Sequence, residues 1–290
     1  MKFLLTLGCL IITPLHLAKR SRPKCGPSLA SNDSKAASNV GFIRFECNST
    51  SLQKRMTLPD GDIGNLNDKA LPNLTEAIVP DGYFSAPTTA DLSTAVMKKF
   101  GSVGRRKKYS TGTSGLSGCT TMYVISRKGV YATHWWENLS FAPDPEWRGA
   151  GTSTDEELFQ ATVIDLLKDG GKYHPRLDAR LIEDDYIRAY LLHPKQPHRE
   201  LTDGSGYPDQ WEKIRTTVGE LVPKLQDRSR WTGIPYKGLN ADDENLFADG
   251  GTAGKNFIKY GPSHDFGGFR GALAMLWVEG QSTPYHEDIW

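Results

Sequence analysis

The sequence predicts an α+β fold, a mixed and largely antiparallel β-sheet or sandwich core with two to three packed helices. Three observations point there. A hairpin of β-branched and apolar residues spans 120–136, amphipathic stretches begin near Thr154 and Asp209, and further strand-like runs fill the C-terminal half.

Taken in order, Met1-Lys2 is a basic start and Phe3 to Leu17 is almost wholly apolar. That run is shorter than the ~20 residues a spanning helix needs, and Pro14 lies inside it. Ala18 then precedes Lys19-Arg20-Ser21-Arg22. This layout predicts a signal peptide over 1–18, a secreted mature chain, and no membrane contact after cleavage. An uncleaved anchor is the competing reading, which the short apolar length disfavours. Residues 19–75 are rich in Ser, Asn, Asp, Lys and Pro and read as an extended, loop-rich segment. Residues 76–290 read as one α+β domain.

Within it, Thr88 or Thr89 caps a predicted helix in which Leu92, Val96 and Phe100 recur every four residues. Arg105-Arg106-Lys107-Lys108 and the Ser/Thr/Gly stretch from Ser110 to Ser117 read as loop; a processing site or a patch for an acidic partner is the sharper reading of the basic run. Thr120 to Ser126 and Val130 to Trp136 form a hairpin around Arg127-Lys128-Gly129. With that turn, His134 faces Met122. Thr154-Asp155-Glu156-Glu157 is a capping box opening a helix that Gly170-Gly171 stops. Ile187 to Leu192 reads as a buried strand, Asp209 to Leu225 as a helix with Trp211, Ile214 and Val218 inward. Ile234 to Tyr236, Asn256 to Tyr260 and Ala272 to Glu279 complete the strands.

Composition sets limits. Hydrophobic residues make up 38% and charged residues 24%, as in a folded domain, and a net charge of +1 encodes no pull toward nucleic acid or anionic membrane. Cys25 and Cys47 are the natural disulfide pair of the loop-rich segment, which leaves Cys119 as an odd thiol. Of the glycosylation sequons, Asn48 and Asn73 lie in polar loop sequence; Asn138 follows a strand close to the site discussed next, and a glycan is not expected there. No Cys/His spacing suits a metal, so no metal or cofactor is expected.

The chemistry-bearing candidates are Cys119, at the mouth of the first hairpin strand, and His134, in the second. An imidazole beside a thiol supplies the base that makes a thiolate nucleophile. Gly118 leaves room for substrate, and backbone N–H groups near Cys119 could hold an oxyanion. The plain alternative is a small buried cysteine and an ordinary strand histidine. Trp135, Trp136 and Trp147 as a sugar platform, and Glu183-Asp184-Asp185 as a cation site, are lesser candidates.

The segment Leu116-Ser117-Gly118-Cys119-Thr120-Thr121, with His134 fifteen residues beyond Cys119, resembles the catalytic region of the cytotoxic necrotizing factor glutamine deamidases and, more loosely, the chemoreceptor glutamine deamidases. The block Gly118-Cys119-Thr120, Ser126-Arg127-Lys128-Gly129-Val130-Tyr131 and His134-Trp135-Trp136-Glu137 is also similar to secreted fungal proteins without known activity. The resemblance implies Cys119 as nucleophile, His134 as its base, and a protein substrate or host protein as partner. A non-catalytic secreted effector or binding protein retaining the fold is the other reading.

Overall fold

The computed structural model describes residues 74–79, 90–101, 107–148, 153–195, 206–237, 253–281 and 283–290. The predicted signal peptide and residues 19–73 of the loop-rich segment, with Cys25, Cys47, Asn48 and Asn73, lie outside them, as do Arg105 and Arg106. No helix among the described residues is long and apolar enough to cross a membrane.

Among the described residues nine strands form two sheets. Strands β1 (Thr94–Lys99), β4 (Gly129–Trp135), β3 (Thr120–Ile125), β5 (Arg188–Pro194) and β6 (Trp231–Tyr236) lie side by side in that order. The second sheet runs β2 (Tyr109–Thr113), β7 (Asn256–Asp265), β8 (Arg270–Val278) and β9 (His286–Ile289). All pairings are antiparallel except β5–β6, whose strands are separated in the chain by helix α4 (Pro208–Leu221). A parallel pair needs such a crossover.

Alternation along each strand builds a three-layer molecule. Tyr123, Ile125, Val130, Ala132, Tyr190 and Leu192 point from the first sheet onto Ile258, Tyr260, Ala274 and Leu276 of the second. Phe100 stacks on Tyr260 within this layer, ring centres 3.7 Å apart. The opposite face of the first sheet carries Met122, Val124, Tyr131, Trp135 and Leu191 against the helices, through Phe159, Val163, Leu167, Ile214 and Val218. The α+β sandwich is therefore as the sequence predicts.

The helical layer follows its sequence signals. Thr154 accepts from the Glu157 N–H while the Glu157 carboxylate accepts from the Thr154 N–H, a complete capping box. The helix it opens has three parts, α1 (Asp155–Phe159), a π-helical turn (Gln160–Ile164) and α2 (Asp165–Lys168). Gly170, at φ +80, ends it. The short α3 (Ala179–Ile182) precedes β5.

Two expectations fail. The helix over Leu92, Val96 and Phe100 is instead a 3₁₀ turn (Ala90–Leu92) leading into β1. A spacing of four is also a multiple of two, so those residues share one face of a strand as readily as of a helix, and β-branched Thr94 and Val96 favour the strand. The stretch from Tyr109 to Thr113, read mostly as loop, is β2, wholly buried against β7.

Candidate functional site

Register decides what the hairpin brings together. Ser126 donates its N–H to the Gly129 carbonyl at 2.9 Å, and the Ser126 hydroxyl accepts from the N–H groups of Lys128 and Gly129. The loop is thus two residues, Arg127-Lys128, not three. Thr121 consequently faces His134, and Met122 faces Thr133. This one-residue difference from the expected register flips the relationship between the two candidates. Cys119, Thr121 and Tyr123 share a face, and so does His134. Cys119 lies diagonally across from His134, a relation that puts Cβ atoms ~7 Å apart in an antiparallel pair.

Both residues are in the sandwich interior. Cys119 is 0% exposed and His134 3%. The Tyr236 hydroxyl, from β6, donates to the Cys119 carbonyl at 2.6 Å. Trp136 donates its indole N–H to the Leu92 carbonyl at 2.9 Å and sets its ring edge-on to His134, centres 4.4 Å apart. Burial pushes the His134 imidazole down to about 3, so the ring is neutral at ordinary pH. A neutral imidazole is the form that can accept a proton. Its Nδ1 is sealed from solvent without a hydrogen-bond partner.

The odd-thiol expectation is overturned: Cys119 is in a disulfide. It is the one cysteine among the described residues, so its partner lies outside them. Cysteine connectivity cannot be deduced from sequence, and placing Cys119 in the folded domain gave no reason to exclude a bond to the leader. The expected Cys25–Cys47 pairing falls outside the described residues. In the disulfide state the sulfur is no nucleophile.

No known family profile matches this chain, and no curated protein matches its sequence. Among solved structures it is similar to the C-terminal domain of CNFy from Yersinia pseudotuberculosis, at 13% identity and a TM-score of 0.29. The match covers 68% of this chain and 58% of that one. The functional reading therefore rests on this chain's own residues.

Other candidates resolve against function. Trp135, Trp136 and Trp147 are buried, which removes the sugar platform. Asp184 accepts from the Arg127 N–H and Asp185 pairs with Lys224, so the acidic run is a set of turn contacts. Asn138 is buried and donates to Asp144, unsuited to carry a glycan. Among the described residues no cluster of His, Cys, Asp and Glu is arranged for a metal.

The structure adds two features that the sequence did not single out. Glu137, two residues beyond the end of β4, is fully buried and accepts from the Tyr207 hydroxyl at 2.8 Å. A polar cleft of about 540 Å³ opens between β5–β6 and β9, with Arg188, Arg230, Asp227 and Asp288 in its walls. Its floor is the Tyr190–His286 pair, 2.9 Å apart. Neither had a periodic or spacing signal, because each joins elements far apart in the chain.

Proposed function

We propose that this chain is an exported thiol enzyme acting on side-chain amides of proteins, held latent by a disulfide on its nucleophile. The observation that supports it is the placement of Cys119 and His134 on one face, diagonal across the β3–β4 ladder. The motif resemblance points to the same pair and names glutamine as the amide.

The chemistry runs in two stages. A dithiol reductant attacks the disulfide through a mixed disulfide and closes on itself, leaving Cys119 as a thiol and the reductant oxidised. His134 then takes the thiol proton as the sulfur attacks the carboxamide carbon. Backbone N–H groups near Gly118 and Cys119 are the donors for the oxyanion. The C–N bond breaks, His134 returns its proton to the departing nitrogen, and ammonia leaves a thioester. Water converts the thioester to a carboxylate and frees the sulfur; an amine in place of water gives a cross-link. Export in the oxidised form and activation in a reducing compartment follow from the same bond.

The test is ammonia release from glutamine-containing proteins, with and without a dithiol. Release by the reduced wild type alone, lost in Cys119→Ser and His134→Ala, supports the enzyme. A reduced, folded wild type that releases no ammonia sinks it. The second reading then stands, a non-catalytic secreted binding protein in which Cys119 is a covalent staple. The disulfide and the complete burial of Cys119 favour it.

A further inference from the structure

Three strands place a polar row inside an apolar layer. His134 of β4 faces Thr94 of β1 on one side and Thr121 of β3 on the other. Directly opposed residues point to the same face, here the inter-sheet layer that Val96, Tyr123 and Ala132 occupy. Thr94 and Thr121 are 0% exposed. The hydroxyl oxygens of both, and Nδ1 of His134, are sealed from solvent without a hydrogen-bond partner.

Three adjacent orphans are a costly arrangement if each stands alone. A buried polar atom without a partner loses its hydration and gains nothing back. Neighbouring side chains in a sheet have Cβ atoms ~5 Å apart. None of the three atoms bonds another described residue, so an internal water is the partner that such a polar row can take. A buried water takes about three polar partners, the number this row offers. A hydroxyl can donate or accept, so the row suits either tautomer of a neutral imidazole.

We propose that Thr94 and Thr121 are positioning residues of His134, joined to its Nδ1 through a shared internal water. Nδ1 then has a fixed partner, which holds the ring's angle toward Cys119. The role deepens the enzyme reading and concerns the same site. The wiring of the row is nevertheless measurable without turnover.

The experiment uses Thr94→Val and Thr121→Val, nearly isosteric changes that remove one hydroxyl each, with Thr94→Ser and Thr121→Ser as rescue. Thermal unfolding and the ring nitrogen resonances of His134 are recorded on the oxidised chain. Each valine variant is expected to lower Tm by about 2–4 °C, as loss of about 1 kcal/mol does in a domain of this size. Each should also shift the Nδ1 resonance, and the serine variants should restore both. Valine variants with an unchanged or higher Tm overturn the proposal, because replacing a lone orphan hydroxyl with methyl is neutral or stabilising. A lower Tm with the Nδ1 resonance unmoved overturns it too, because the hydroxyls then serve the sheet and not the ring. Ammonia assays on reduced variants separate the two levels. A positioning role shifts the pH profile of activity, and an inactive wild type refutes the enzyme while leaving the row as judged by Tm and resonance.

Discussion

The phenol of Tyr236 is bonded to the backbone carbonyl of Cys119 at 2.6 Å. It ties the edge strand β6 to the start of β3, two strands away in the sheet. Both residues are fully buried. Tyr236→Phe leaves the carbonyl without this donor and should cost about 1–3 kcal/mol of stability. It should also speed reduction of the Cys119 disulfide, measured as the rate of thiol appearance under a fixed dithiol concentration. An unchanged Tm would mean that the bond contributes nothing net.

Acid should unfold the protein progressively. Burial pushes His134 and His174 down to about 3 and His286 down to about 4. In the unfolded chain each takes up a proton near pH 6.5. Between that pH and the lowered folded values the unfolded state binds more protons, so stability falls as pH falls. Each histidine contributes a slope of at most about 1.4 kcal/mol per pH unit. Denaturant titrations at pH 7, 6, 5 and 4 should show this decline, and His174→Gln should flatten it. A flat profile would refute neutral burial of the three rings.

Gly112 lies where β2 meets β7. A methyl added there would sit 2.3 Å from the Asn256 carbonyl oxygen and 2.8 Å from the Phe257 Cα. Both obstacles are backbone, so the strands themselves must part. Gly112→Ala should destabilise by about 3 kcal/mol and loosen the second sheet first, seen as faster amide exchange in β2 and β7. Gly267→Ser, at the exposed turn before Arg270, is the control for glycine loss without crowding, since nothing lies within 4 Å there. Its strain is confined to φ +77.

Arg127 fastens the hairpin to the C-terminal strand. Its Nε and Nη2 donate to the two carboxylate oxygens of Asp288, each at 2.8 Å, and its guanidinium lies 3.3 Å from the Tyr186 ring centre. Lysine cannot reproduce the fork or the flat stack. Arg127→Lys should cost about 1 kcal/mol, less at high salt, measured by chemical denaturation. A salt-independent loss would assign the effect to packing.

What could be read from the sequence follows from where each signal lives. The hairpin, the capping box and the amphipathic α4 announce themselves through neighbours in the chain, and all three are present. Strand β2 does not: Tyr109-Ser110-Thr111-Gly112-Thr113 has little apolar character, and it is buried by pairing with β7 on one side and by the segment from Thr75 to Ile78 on the other. Leu92, Val96 and Phe100 carry a period common to helix and strand, which local pattern cannot resolve. At the site, the residue types were legible, while the geometry hung on one turn residue. Counting Gly129 as loop set Met122 opposite His134; its place in β4 sets Thr121 there, on the same face as Cys119. The orphaned hydroxyls of Thr94 and Thr121 were invisible because β1 was not recognised as the neighbour of β4.

The pairing of Tyr109 with Tyr260 bears on how the chain is born. The second sheet cannot close until the ribosome has delivered β7, far along the chain from β2. Contacts so distant along the chain slow the search for the native state. During synthesis β2 and the apolar inner face of the first sheet therefore wait uncovered. Deleting the residues from Asn256 onward should therefore leave a product that proteases and chaperones treat as unfinished.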